Sequence, residues 1–249
     1  MLKVIIVGTG NVSHHLERAF SEAEDILLVG VLESRSLTSD SLLGEPPSTL
    51  QEPDVYLLAV SDDAIPTVAS HFKTTKKLVV HTSGSVPLAV LAAIERSGVF
   101  YPLQTFSKAQ AVNFKSVPIG LEAGNDFDLN ILKKLAQTIS DTIVEIDSEQ
   151  RKTLHLAAVF VNNFTNHLYH IGHELCRGQD IPFDLLKPLI RETARKIEQF
   201  SPEASQTGPA KRNDAKTIER HLEALQSGTQ REIYTILTKS IQEVHGEKL

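Results

Sequence analysis

Over the first two-thirds of the chain, short β-branched runs alternate with amphipathic stretches, a rhythm that predicts a parallel sheet with helical crossovers. Residues 2–7 are almost unbroken apolar sequence, as expected of a strand covered on both faces. Residues 11–20 follow as a helix, with Leu16, Ala19 and Phe20 at helical spacing. Further strands are expected at 26–32, 55–60, 77–81 and 99–101, with helices over 64–72 and 86–96 between them. Strands at 117–122 and 142–146 would close the sheet around a helix over 129–139. Residues 34–53, rich in Ser, Pro and Thr, read mostly as surface loop.

From Ser148 onward the strand pattern stops. Residues 154–176 form a long helical pattern, apolar almost all round between Leu156 and Val161, which predicts burial. A second helix covers 183–200, with Pro182 in its first-turn region. A Gly/Pro-containing loop over 201–213 leads to Asp214 as N-cap of a helix over 215–225, and 229–244 is the last helix. The expected organisation is therefore an α/β domain over 1–147 and an all-α domain over 148–249. About 100 residues of helix with so apolar a first member make a marginal core alone, which predicts a homodimer through the helical half.

Composition narrows the class. The chain has 249 residues, with 25 Lys plus Arg against 31 Asp plus Glu and a net charge of −6. No basic block is present, so nucleic acid is not an expected partner. No apolar run approaches the roughly 18 residues of a membrane helix, and the run at 4–7 is too short for a signal-peptide core. A cytoplasmic location with no membrane partner is expected. The single Cys176 cannot form an intrachain disulfide or a thiolate metal site by itself.

The first strand runs directly into Gly8, Thr9, Gly10, Asn11, Val12 and Ser13, which open a helix. Gly8 suits a tight turn, and Gly10 lets the backbone approach a pyrophosphate. The helix N-terminus supplies free N–H groups for the phosphates. Ser13 stands where the strict dinucleotide fingerprint has a third Gly. After the second strand come Glu33, Ser34, Arg35 and Ser36. An acid there favours the ribose diol of NAD, whereas Arg35 with the hydroxyls of Ser34 and Ser36 would cradle the 2′-phosphate of NADP. The balance favours NADP over NAD.

Seven segments carry a resemblance across nearly the whole chain: residues 7–12, 34–36, 59–65, 81–85, 101–106, 155–163 and 207–214. With them the chain resembles a bacterial family described as NADP-dependent oxidoreductases, whose members pair a Rossmann-like domain with a helical C-terminal domain of unknown function. The architecture is similar to that of pyrroline-5-carboxylate reductase and the 6-phosphogluconate dehydrogenase superfamily. The resemblance implies that residues 60–62 and 81–84, with Val60, Ser61, His81, Ser83 and Gly84 among them, follow strands at the carboxyl edge of the sheet and line the ribose and nicotinamide, and that residues 101–106 lie close by. It implies hydride transfer to or from a small carbonyl or imine substrate in an interdomain cleft.

Related dehydrogenases place a Lys and an Asn one turn apart on the first long helix of the helical domain. Here Val159 and Ala158 stand one turn before Asn163 and Asn162, so that lysine is missing. At about 100° per residue, His155, Asn162 and Asn166 fall on one stripe with Asn163 beside it, making His155 and Asn163 the candidate catalytic pair. The missing lysine also leaves open a sensor that binds NADP(H) without turnover. His167, His170 and His173 fan across about 120°, an awkward set for one metal ion, so no metal is expected. Lys211 and Arg212, in the 207–214 loop, are further candidate anion contacts.

Overall fold

The computed structural model describes residues 1–36, 50–225 and 228–245, and the side chain of Ser36 lies outside the description. Most of the expected loop at 34–53 is therefore outside the described residues. The elements in chain order are β1 (Leu2–Val7), α1 (Asn11–Ser21), β2 (Ile26–Leu32), β3 (Val55–Leu58), α2 (Ile65–Ala69), β4 (Leu78–His81), β5 (Ser97–Pro102), β6 (Ile119–Ala123), α3 (Asp126–Ile139) and β7 (Ile143–Glu145). Helices α4 (Ser148–Ala158), α5 (Thr165–Arg177), α6 (Lys187–Gln199), α7 (Pro202–Ser205), α8 (Ala215–Ala224) and α9 (Thr229–His245) follow.

The seven strands form one sheet in the order β2-β1-β3-β4-β5-β6-β7. Strands β1 to β5 pair in parallel, β6 runs antiparallel to β5, and β7 is parallel to β6. This is a Rossmann-like, mostly parallel α/β fold followed by helices. The alternation of side chains along each strand explains why β1 reads as unbroken apolar sequence. Val4 and Ile6 pack with Leu16 and Phe20 of α1 and with Leu132, Leu135 and Ala136 of α3 on one face. Ile5 and Val7 pack with Ile65 and Val68 of α2 and with Phe72 on the other.

Two expectations fail. Residues 86–96 make only a short 3₁₀ turn at Leu88–Leu91 rather than a full crossover helix. Successive i→i+3 bonds (Val90 to Pro87, Ala92 to Ala89, Ile94 to Leu91) fold this short connection and bury Leu91 and Ile94, three residues apart. The run from Leu156 to Val161 is also not buried within the chain: Phe160 is 61% and Val161 74% exposed.

The long helical pattern is broken as well. Asp147 caps α4 with a capping box to Gln150, and Val159–Phe164 then widens into a π-helical turn before α5. The chain divides into two compact units, Met1–Asn163 and Phe164–Leu249, with the division inside that π-turn. In the second unit the apolar side chains are largely exposed; among its described residues only Ala210 is a buried hydrophobic. Among the described residues, no helix is long and apolar enough to cross a membrane.

Candidate functional site

Two clefts lie at the carboxyl ends of the parallel strands, both built from residues of the first unit. The first, of about 610 Å³, is lined by the backbone turn Gly8–Val12, by Glu33, Ser34 and Arg35, and by Val60 and Ser61. Gly8 has φ +126°, and a Cβ there would run into the carbonyl of Ala59, so only glycine fits the turn out of β1. A Cβ on Gly10 would meet nothing within 4 Å, which leaves that backbone open to a ligand. Gly10 caps α1 without a side-chain bond, and the first turn carries no acid, so its N–H groups remain available to an anion.

Ser13, where the fingerprint has its third glycine, bonds back to the turn. It is buried, and its hydroxyl donates to the Gly8 carbonyl at 2.6 Å, so it braces the turn from behind. Asn11 is also engaged, its amide donating to the Phe106 carbonyl at 2.9 Å. Arg35 is exposed at the end of the cleft beside Ser34.

The second cleft, of about 640 Å³, shares Asn11, Val12 and Val60 with the first. Its polar walls come from Asp62, from the Thr82–Gly84 turn after β4, from Tyr101 of β5, and from His155, Asn162 and Asn163. The Tyr101 hydroxyl lies 3.2 Å from His155 Nδ1. Gly84 makes that pairing possible, because a Cβ there would sit 2.7 Å from the tyrosine ring and 2.8 Å from the imidazole. Tyr101 is largely buried, and burial pushes its phenol above the usual value of 10, with the Arg151 charge pulling the other way. Asn162 and Asn163 both reach this cleft through the π-turn, a feature that recurs at functional sites.

His81 does not line either cleft. It is fully buried at the end of β4 and accepts a hydrogen bond from the Ser83 N–H at 3.2 Å, so it supports the Ser83–Gly84 turn from within. Ser83 in turn accepts from the N–H groups of Ser85 and Val86, and Ser85 donates to Asp62. From α4, Arg151 grips the same loop. Its guanidinium is 1% exposed, donates to the carbonyls of Ser83 and Val86, and pairs with Glu122 of β6.

Asp62 belongs to the 60–62 segment that the resemblance places along the cofactor, whereas the pairing of Tyr101 with His155 and the role of Arg151 are not legible in the sequence. Tyr101 lies inside a segment that carries the resemblance, whereas Arg151 has no sequence signal beyond being a charge in a helix. Among the described residues, no group of three His, Cys, Asp or Glu is arranged to hold a metal ion. In the second unit, His173 pairs with Glu174, Lys211 donates to the Gln206 carbonyl, and Asp214 caps α8 by accepting from Thr217 N–H.

A family model described as domain of unknown function DUF2520 matches residues 117–241. A putative NADP oxidoreductase from Bacteroides fragilis is 34% identical, with a TM-score of 0.86 over 97% of this chain and 98% of that one. A protein from Thermotoga maritima is 27% identical, with a TM-score of 0.73 over 97% and 98%. The pyrroline carboxylate reductase of Plasmodium falciparum, solved with NADP bound, is 12% identical with a TM-score of 0.53 over 99% and 98%, a likeness of fold alone. No match was found among curated proteins. The chain belongs to the DUF2520 family and has the Rossmann-like fold of these solved structures.

Proposed function

We propose that the protein is an NADP-dependent oxidoreductase acting on a small carbonyl or imine substrate. The observation that carries this reading is the meeting of the two clefts on Asn11, Val12 and Val60, at the strand ends where an open α/β sheet binds its ligands. The first cleft fits a dinucleotide: a glycine turn no side chain could occupy, an open Gly10, and an uncapped helix N-terminus. The backbone from Gly8 to Ser13 would hold the diphosphate, and Ser34, Arg35 and Ser36 the 2′-phosphate. Val60, Ser61 and the Ser83–Gly84 turn lead from there towards the second cleft. A bound nicotinamide supplies or accepts the hydride.

The remaining chemistry belongs to this chain. A carbonyl or imine that gains hydride needs a proton on its heteroatom. Tyr101 keeps its proton because burial disfavours the phenolate, and His155 behind it at 3.2 Å can replenish that proton from the cleft. Asn163 supplies an amide to orient the acceptor group. Among the described residues lining this cleft, Asp62 is the one carboxylate, already engaged by Ser85, and none is Lys or Arg. An uncharged imine or ketone therefore suits the wall better than a carboxylate-bearing analogue. We extend the proposal to a homodimer in which a second copy covers the exposed apolar helices, where Leu189, Phe200 and Ile236 are 63%, 58% and 66% exposed.

The test is a fluorescence titration with NADPH and NADH, followed by NADPH consumption over a panel of imines and ketones. Tight NADPH binding with turnover of an uncharged member supports the proposal. Binding without turnover on any member identifies a sensor, and binding of neither dinucleotide refutes the cofactor reading.

A further inference from the structure

The loop after β5 is laid across the first turn of α1. Asn11 holds the Phe106 carbonyl, and His15 Nε2 lies 2.9 Å from the Ser107 carbonyl. The Phe106 ring packs between His15 and Phe114, with centroids 5.2 and 5.8 Å away. The chain then turns at residues 107–110, closed by the Gln110 N–H on the Ser107 carbonyl at 3.1 Å. That turn sends Lys108 back over the glycine turn, where its Nζ donates to the Thr9 carbonyl at 3.2 Å.

We infer that Lys108 is a ligand of the cofactor's diphosphate, completing from the β5 loop a site otherwise made of backbone N–H groups. The inference rests on the dinucleotide reading above. The start of α1 carries the partial positive charge of its uncapped N–H groups and no acidic residue to offset it. An ammonium held beside that end is unfavourable unless an anion joins them. Among the described residues no carboxylate forms an ion pair with Lys108. One of its three N–H donors is used on Thr9, which leaves two for phosphate oxygens.

The anchors matter as much as the charge. Asn11 and His15 fasten the loop to the helix that begins at the glycine turn, so the lysine stem starts from a fixed place relative to the phosphate-binding backbone. Arg35 lies on a different segment, after β2. The two cations therefore divide the cofactor: Arg35 reads the 2′-phosphate, and Lys108 reads the diphosphate common to NADPH and NADH.

The test is Lys108→Gln, titrated with NADPH, NADH, 2′-phospho-ADP-ribose and adenosine 2′-monophosphate at two salt concentrations. The Kd for the three diphosphate ligands should rise about tenfold, with the NADPH to NADH ratio unchanged. The monophosphate should bind as in wild type, the salt dependence should be shallower, and Lys108→Arg should recover most of the loss. Because Lys108 is exposed, the ligand-free melting temperature should not move. Unchanged diphosphate binding in Lys108→Gln, or a loss confined to NADPH, overturns the role of Lys108 while leaving the cofactor reading intact. A fall in the ligand-free melting temperature that accounts for the weaker binding also overturns it. Wild-type protein that binds neither dinucleotide overturns the cofactor reading, and this inference with it.

Discussion

Acid should destabilise this protein through one buried imidazole, and replacing that imidazole should remove the effect. His81 is fully buried, its Nδ1 accepts from Ser83 N–H, and its Nε2 has no hydrogen-bond partner among the described residues. Burial first, and then the charge of Arg151, lower its pKa from 6.5 to about 4; Asp62 and the nearby Pro87 carbonyl pull weakly the other way. Protonating Nδ1 would also set it against the Ser83 N–H. A folded pKa below the unfolded one means that stability is fully present above pH 6.5 and is lost as the pH falls towards about 4. Between about pH 7.5 and about pH 4.5 the loss from this group alone is about 2–3 kcal/mol. Carboxylates also lose stability in acid, Asp214, Glu174 and Glu192 among them, because hydrogen bonds and neighbouring cations lower their pKa values. Those contributions are common to wild type and variant. His81→Asn keeps an acceptor for Ser83 N–H and removes the titration. Urea unfolding across this pH range should show the gap between wild type and variant closing by about 2–3 kcal/mol towards acid. Equal pH slopes in the two proteins would refute the reasoning.

Three further outcomes follow from the same geometry. Gly84→Ala should cost about 1–3 kcal/mol by overpacking and should cut turnover by separating Tyr101 from His155; normal activity would show that the pair is not needed. Arg151→Met leaves two loop carbonyls without their donor and Glu122 with only the Ser148 hydroxyl, and should cost about 3–5 kcal/mol in chemical unfolding, of which adding Glu122→Gln should recover part; additive losses would mean that the two residues are not coupled. Light scattering at micromolar concentration should give about twice the chain mass of 27.4 kDa, and a monomer would remove the second copy from the proposal.

The parts of this fold that were legible in the sequence are those in which the cause is local. The glycine turn could be read because Gly8 and Gly10 answer to backbone geometry within a few residues, and Asp214 because an N-cap bonds three residues ahead. The strands could be read from alternation and β-branching, but not the antiparallel direction of β6, which depends on a connection with no periodic signal. Tyr101 meets His155 across 54 positions and Arg151 meets Ser83 across 68, so neither pairing leaves a local pattern. Arg151 resembles any surface charge in the first turns of a helix until the sheet supplies the Ser83–Val86 loop and Glu122 around it. The crossover at 86–96 has helical spacing but folds as successive 3₁₀ turns.

The apolar run at 156–161 presents a different problem. All-round hydrophobicity implies that a helix is covered, but it does not say by which chain. Within this chain Leu156, Phe160 and Val161 stay largely exposed, and the proposed second copy is what would reconcile the sequence with the structure. The same π-turn that leaves Phe160 exposed outside the cleft carries Val161, Asn162 and Asn163 into the cleft wall beside His155. A wider i→i+5 turn shifts the angular phase of the helix, so a stripe drawn at constant helical pitch cannot place both asparagines. On the proposed reading, covering the outer face of that turn would fix the amides on its inner face. The exposed hydrophobics and the catalytic amides would then be two consequences of one local distortion.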